Sequence, residues 1–148
     1  MTVTVRDIMR KNLQTIAESA SIQDTAKLMN DFKVSSLLVV DAYGNPVGLV
    51  TERDLVRRAC VKDQRASQVA NKEIMSSPLI AIDAKSSPSA TIDLMLKNNV
   101  RHLLVVDNES GHSGRPIGIV TPFDLMRYED YPREERSDVL DMILEYYI

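Results

Sequence analysis

The sequence predicts a mixed α/β (α+β) fold built from two tandem β-α-β-β-α units. Three observations predict it. The stretch "LLVVD" at Leu37–Asp41 returns as Leu103–Asp107, 66 positions later, and Met9 and Met29 return as Met75 and Met95 at the same interval. The stretch "GLVTERD" at Gly48–Asp54 returns as "GIVTPFD" at Gly118–Asp124, 70 positions later. Each copy also alternates short β-rich runs with amphipathic helical runs in the same order. A unit of roughly 50 residues is too small to bury a convincing core alone. The two units are therefore expected to pack sheet against sheet about a pseudo-twofold axis, leaving two equivalent clefts.

In chain order, "LQTIA" (Leu13–Ala17) opens the first repeat as a short strand, and "LIAID" (Leu79–Asp83) opens the second. A helix follows each. Ser21 precedes the first as an N-cap, with Ile22, Ala26, Leu28 and Met29 on one face. Ser87 caps the second, and Pro88 stands where a first-turn proline is tolerated. The runs "SLLVV" (Ser36–Val40) and "HLLVV" (His102–Val106) each end at an aspartate and a polar turn. "VGLVT" and "IGIVT" return as second strands, and "ERDLVRRA" and "PFDLMRY" begin closing helices. The second hairpin is four residues longer, through "NESGHSGRP", an insertion that a surface loop tolerates.

This reading divides the chain into a first repeat (1–61), a polar linker (62–73), a second repeat (74–130) and a C-terminal extension (131–148). In the extension, Pro132 can open a helix, and Val139, Leu140, Ile143, Leu144 and Tyr147 form an apolar stripe. That stripe either covers the edge of the core or forms a dimer-forming or partner-binding surface.

Composition excludes several classes. The chain has 148 residues, 44% hydrophobic and 26% charged, which suits a soluble globular protein. No apolar run approaches the ~20 residues of a spanning helix, so no membrane insertion is expected. A net charge of −3 offers no footprint for nucleic acid. The single cysteine, Cys60, excludes an internal disulfide and is expected to be a buried thiol; with no export signal, the cytoplasm is the expected compartment. No Ser/His/Asp arrangement, phosphate-binding glycine loop or metal-ligand cluster stands out, so no enzyme, catalytic cofactor or metal site is expected.

The repeated T-x-x-D has two readings. In the first, Thr51 and Thr121 are helix N-caps, and Asp54 and Asp124 complete a box at the third helical position. In the second, the same corner is a ligand site. A Thr hydroxyl can donate to a ribose or phosphate oxygen, and an acceptor-only carboxylate suits the paired hydroxyls of a ribose. Val50, Ile119 and Val120 could wall a flat base.

The doubled unit with "LLVVD", a turn, and G-aliphatic-aliphatic-T-x-x-D resembles the cystathionine-β-synthase (CBS) domain, and two in tandem resemble a Bateman module. The resemblance covers about residues 5–130. It implies a non-catalytic module whose clefts bind an adenosine derivative: AMP, ADP or ATP first, S-adenosylmethionine or NAD as further options. It implies ribose contacts from Asp54 and Asp124, with Thr51 and Thr121 at the ribose–phosphate end and Arg53 near enough to help a phosphate. The adenine edge would meet the strands at Thr15, Ile16 and Ala17 and at Ala81, Ile82 and Asp83. At the entrance to the "LLVVD" strands, Arg101 and His102 would serve the Asp54 cleft, and Ser35 and Ser36 the Asp124 cleft. With "PF" in place of "ER", the Asp124 cleft reads as the less electropositive one. A homodimer and an unidentified protein partner are expected. The rival reading is a structural or dimerising scaffold with vestigial clefts.

Overall fold

The "LLVV" runs are apolar at every position, which suits strands covered on both faces. In the computed structural model they are the middle strands of two three-stranded sheets. The structure describes residues 2–77, 79–109, 114–127 and 136–147. The chain divides into two units, Leu13–Leu79 and the combination of Met1–Asn12 with Ile80–Ile148.

The Leu13–Leu79 unit contains β1 (Thr15–Ala17), α2 (Ile22–Phe32), β2 (Ser36–Val40), β3 (Pro46–Thr51), α3 (Glu52–Arg58) and α4 (Asn71–Ile74). Strand β1 runs parallel to β2, which pairs antiparallel with β3. The other unit repeats the pattern with β4 (Ala81–Asp83), α5 (Pro88–Asn98), β5 (Leu103–Asp107), β6 (Arg115–Val120) and α6 (Pro122–Arg127). It also holds α1 (Val5–Ile8) and the terminal α7 (Arg136–Tyr147).

The caps follow the sequence. The Ser21 hydroxyl accepts from Asp24 N at 3.1 Å, and the Ser87 hydroxyl accepts from Ala90 N at 3.1 Å. Both helices end at a left-handed residue, Lys33 and its repeat counterpart Asn99. Between β2 and β3, Asp41 accepts from the backbone N–H groups of Tyr43 and Asn45, each at 2.9 Å. These bonds, that of Asn45 foremost, hold its carboxyl below the usual carboxylate range.

Each unit has its own core. Ile16, Ile22, Met29, Leu37, Val39, Val50, Val69 and Ile74 pack in one. Val5, Ile82, Met95, Leu103, Val105, Val120, Leu125, Val139 and Met142 pack in the other. The segment read as a polar linker contributes to the first core. It follows a short 3-10 turn at Cys60–Lys62, carries a second at Ala66–Gln68 and leads into α4, whose Asn71 is fully buried. Asn71 satisfies its whole amide: its Oδ1 accepts from Thr25 Oγ1 at 2.6 Å, and its Nδ2 donates to the carbonyls of Ala17 and Ala20 at 3.1 Å. Cys60 is exposed, contrary to the buried thiol expected, because it opens one of those 3-10 turns rather than lying on a core-facing helix.

In each unit the segment after the leading helix bridges to the motif strand. Arg10 N donates to Ile119 O at 2.8 Å and Ile119 N returns to Arg10 O at 3.1 Å. Ser76 and Leu49 exchange the same pair at 2.9 and 3.0 Å. The glycines make room for this approach. A Cβ on Gly48 would stand 2.5 Å from Met75 Sδ, and one on Gly118 would stand 2.5 Å from Met9 Sδ and 2.7 Å from Arg10 O. The 66-residue methionine repeat and the repeated glycine are thus two halves of one contact.

Helix α7 buries Val139 and Met142 against the core of its unit, with Ile143 beside them, whereas Leu140 and Leu144 are roughly half exposed. The core-covering face is therefore offset from the predicted stripe and includes Met142. Pro132 and the Tyr147 side chain lie outside the described residues, as do residues 110–113 of the longer hairpin. Among the described residues no helix is long and apolar enough to cross a membrane.

Candidate functional site

The T-x-x-D corner forms where each second strand turns into a helix. Thr51 is extended, with φ −122° and ψ 164°, and caps α3. Its hydroxyl lies 3.2 Å from Asp54 N, and Asp54 Oδ2 accepts from Thr51 N at 3.0 Å and from Thr51 Oγ1 at 3.2 Å. Asp124 Oδ2 accepts from Thr121 N at 2.9 Å and from Thr121 Oγ1 at 3.0 Å. Both aspartates are buried. The reciprocal capping box is thus complete at Thr51 and Asp54, whereas at Thr121 and Asp124 the carboxylate half is made and Asp124 N donates to the Thr121 carbonyl at 3.1 Å.

The second carboxylate oxygen differs between the units. Asp54 Oδ1 has Arg58 Nε at 3.6 Å, an ion pair beyond hydrogen-bond distance. Asp124 Oδ1 accepts from Arg10 Nε at 3.0 Å and also from Arg127. The surroundings of Asp124 are therefore rich in cations, not poor in them as the sequence of α6 alone suggested. Arg10 comes from a segment 114 residues away in the chain, which an inspection of the motif helix does not reach.

The remaining predicted residues fall into place as follows. Val50 and Val120 point into the cores of their own units, as do Ile16 and Ile82. Thr15, Ala17 and Ala81 are exposed, and Asp83 and Arg53 are partly buried. Ile119 is buried on the strand face opposite Val120. Ser35 touches the motif of its own unit through its carbonyl, which accepts from Glu52 N at 3.0 Å; Ser36 opens β2 opposite Thr51.

Arg101 is 7% exposed. Its guanidinium donates to Glu145 of α7 at 3.1 Å and to Val100 O at 3.2 Å, and its buried Nε has no hydrogen-bond partner among the described residues. His102 feels both Asp124 and Arg10. Desolvation lowers its pKa most, the Asp124 charge raises it, and the Arg10 charge lowers it, leaving it at about 4. The imidazole is therefore neutral at neutral pH. Among the described residues, no group of three or more His, Cys, Asp or Glu side chains could hold a metal ion.

Sequence reasoning missed Arg10, Asn71 and Glu145. For Arg10 a signal existed: the repeat pairs "DIMR" with "EIMS", so an arginine stands where the other copy has Ser76.

The model of the CBS domain matches residues 5–60 and 72–131. An uncharacterized protein of Methanopyrus kandleri is 29% identical over 87% of this chain, which spans 64% of that protein. An inosine-5'-monophosphate dehydrogenase of Nitrosopumilus maritimus is 30% identical over 88% of this chain, and the match takes up 25% of that enzyme. Among solved structures, a conserved CBS domain protein of unknown function from Thermoplasma acidophilum superposes with a TM-score of 0.82. It is 28% identical, over 97% of this chain and 78% of its own.

Proposed function

The chain belongs to the CBS-domain family, with two copies of the domain in tandem, and on that footing we propose that it is a non-catalytic regulatory module. It binds an adenine nucleotide or a related adenosine derivative and passes its occupancy to a protein partner. The observation that supports this is the state of Asp54. Thr51 holds one oxygen of its carboxylate in place, and the other retains acceptor capacity beside a half-exposed arginine. A ribose presents two adjacent hydroxyl donors, and an ionised carboxylate is acceptor-only. Adenine then meets the strand edges near Thr15–Ala17, and a nearby cation such as Arg58 or Arg53 balances phosphate charge.

A ligand that binds only the native chain raises its melting temperature by mass action. Thermal shift with AMP, ADP, ATP, S-adenosylmethionine and NAD therefore tests the reading. Asp54→Ala, measured by calorimetry, should then weaken the best ligand by at least tenfold, since each charge-assisted hydrogen bond contributes roughly 1.5–3 kcal/mol. One observation favours a second reading: in both units the aspartate carboxylate bonds the backbone N–H of its motif threonine, as a helix-capping residue does. If no nucleotide shifts the melting temperature, the motif is a pair of helix caps and the protein is a scaffold.

A further inference from the structure

We propose that the two T-x-x-D sites are not equivalent, and that Arg10 and Arg127 form a latch that closes the Asp124 carboxylate to a ribose. The inference rests on the nucleotide reading of Asp54 given above and specifies where that ligand goes.

An ionised carboxylate offers about four lone-pair positions. At Asp124 four donors fill them: Thr121 N and Thr121 Oγ1 on Oδ2, and Arg10 Nε and Arg127 on Oδ1. Its side chain is 0% exposed, whereas those of Arg10 and Arg127 are 48% and 61% exposed. The guanidiniums thus face solvent and lie over the acceptor that a ribose diol would need. At Asp54 the same two threonine donors hold Oδ2, and among the described residues Oδ1 has only the 3.6 Å contact with Arg58. That leaves two positions for two hydroxyls.

The difference is built into the fold. Arg10 and Ser76 occupy equivalent backbone positions, each fixed by a reciprocal pair of hydrogen bonds to the motif strand of its unit, Ile119 in one case and Leu49 in the other. The strand therefore places residue 10 beside Asp124 as firmly as residue 76 beside β3. What differs is the side chain: a guanidinium that reaches the carboxylate in one unit, a short hydroxyl in the other. A ribose entering at Asp124 must break two charge-assisted hydrogen bonds before making any, and such bonds are about twice as strong as neutral ones.

Equilibrium dialysis with AMP tests this on the full chain, with thermal melts to confirm folding. The wild type should bind one equivalent at saturation. Asp54→Ala should abolish that binding, and Asp124→Asn should leave it unchanged. The double variant Arg10→Ser/Arg127→Ser should gain a second equivalent. Two equivalents in the wild type, or loss of binding in Asp124→Asn, would overturn the latch while leaving the nucleotide reading standing. So would a folded double variant that still binds one. If the double variant does not fold, the wild-type, Asp54→Ala and Asp124→Asn stoichiometries still decide. No binding by the wild type or the folded double variant would bring down the nucleotide reading itself, and the latch with it.

Discussion

At the scale of single residues, the repeated glycines show how a motif can be read for chemistry and still owe part of its form to packing. Gly48 and Gly118 lie under methionines 27 residues downstream and 109 upstream, and neither has room for a Cβ. At Gly48 the closest neighbour is a flexible thioether, and the nearest backbone atom, Ser76 O, is 3.0 Å away; at Gly118 the carbonyl of Arg10 is also within 2.7 Å. Gly118→Ala should therefore destabilise more than Gly48→Ala, by about 1–3 kcal/mol in the usual range for overpacking, as urea denaturation would show. Equal and negligible effects would mean that the methionines move aside freely. His102 supplies a second test. Its folded pKa of about 4 lies below the ordinary 6.5, so the unfolded chain takes up the proton first as pH falls. The group penalises the folded state progressively from pH 6.5 down to about 4 and adds nothing further below that. The full penalty is on the order of 3 kcal/mol. His102→Gln should narrow the loss of stability between pH 7 and 4; identical wild-type and variant slopes would mean the imidazole titrates normally.

At the scale of elements, strands and capped helices were legible because their signals are local. The "LLVV" runs, Ser21 and Ser87, and the T-x-x-D boxes each declare themselves within four or five residues. The short helices α1 and α4 were not legible, since four residues carry too little periodicity to register. The buried face of α7 was legible only in part. The stripe named Val139 and Ile143, which pack inward, but also Leu140 and Leu144, which are roughly half exposed, and it left out the enclosed Met142, because the location of the core, not the helix itself, decides which face turns inward. Deleting residues 131–148 should remove the enclosed Val139 and Met142 from the core and leave Arg101 without Glu145. Burial of two such side chains corresponds to roughly 3–6 kcal/mol, so a clear fall in melting temperature is expected. Sedimentation of the shortened chain would separate this from a role in assembly: a smaller oligomer at unchanged melting temperature would assign α7 to an interface instead.

At the scale of the whole molecule, the sequence repeat and the spatial unit are offset. The first repeat by sequence begins near Val5, but α1 packs its Val5 and Ile8 among side chains of the second. Likewise α4, at the head of the second repeat, packs Ile74 among those of the first. A pattern of similarity cannot reveal this, because two equivalent segments exchanged between two equivalent partners leave the repeat unchanged. The candidate site shows the same limit. The strand-to-helix corners at Thr51–Asp54 and Thr121–Asp124 were readable from the motif, whereas the contact of Arg10 with Asp124 depends on the three-dimensional path of the chain, and the repeat showed only that an arginine stands where the other copy has Ser76. A fragment of residues 13–79 should accordingly hold its helical signal to higher temperature in circular dichroism than a fragment of residues 1–61, which lacks Val69, Asn71 and Ile74. The reverse order of melting would show that the cores do not depend on these segments.

The exchanged leading segment also sets an order of events during synthesis. Residues 13–79 form a continuous stretch, so all the groups that build their core have emerged once residue 79 clears the ribosome. Residues 1–12 emerge earlier than any of these, yet Ser86, Ala84 and Ile119, the carbonyl partners of Val5, Arg6 and Arg10, are made much later. At roughly 5–20 residues per second, the amide of Arg10 waits several seconds for Ile119. During that interval Val5, Ile8 and Met9 form a nascent apolar segment whose partner strand is not yet made, which gives a chaperone or a neighbouring nascent chain time to bind it.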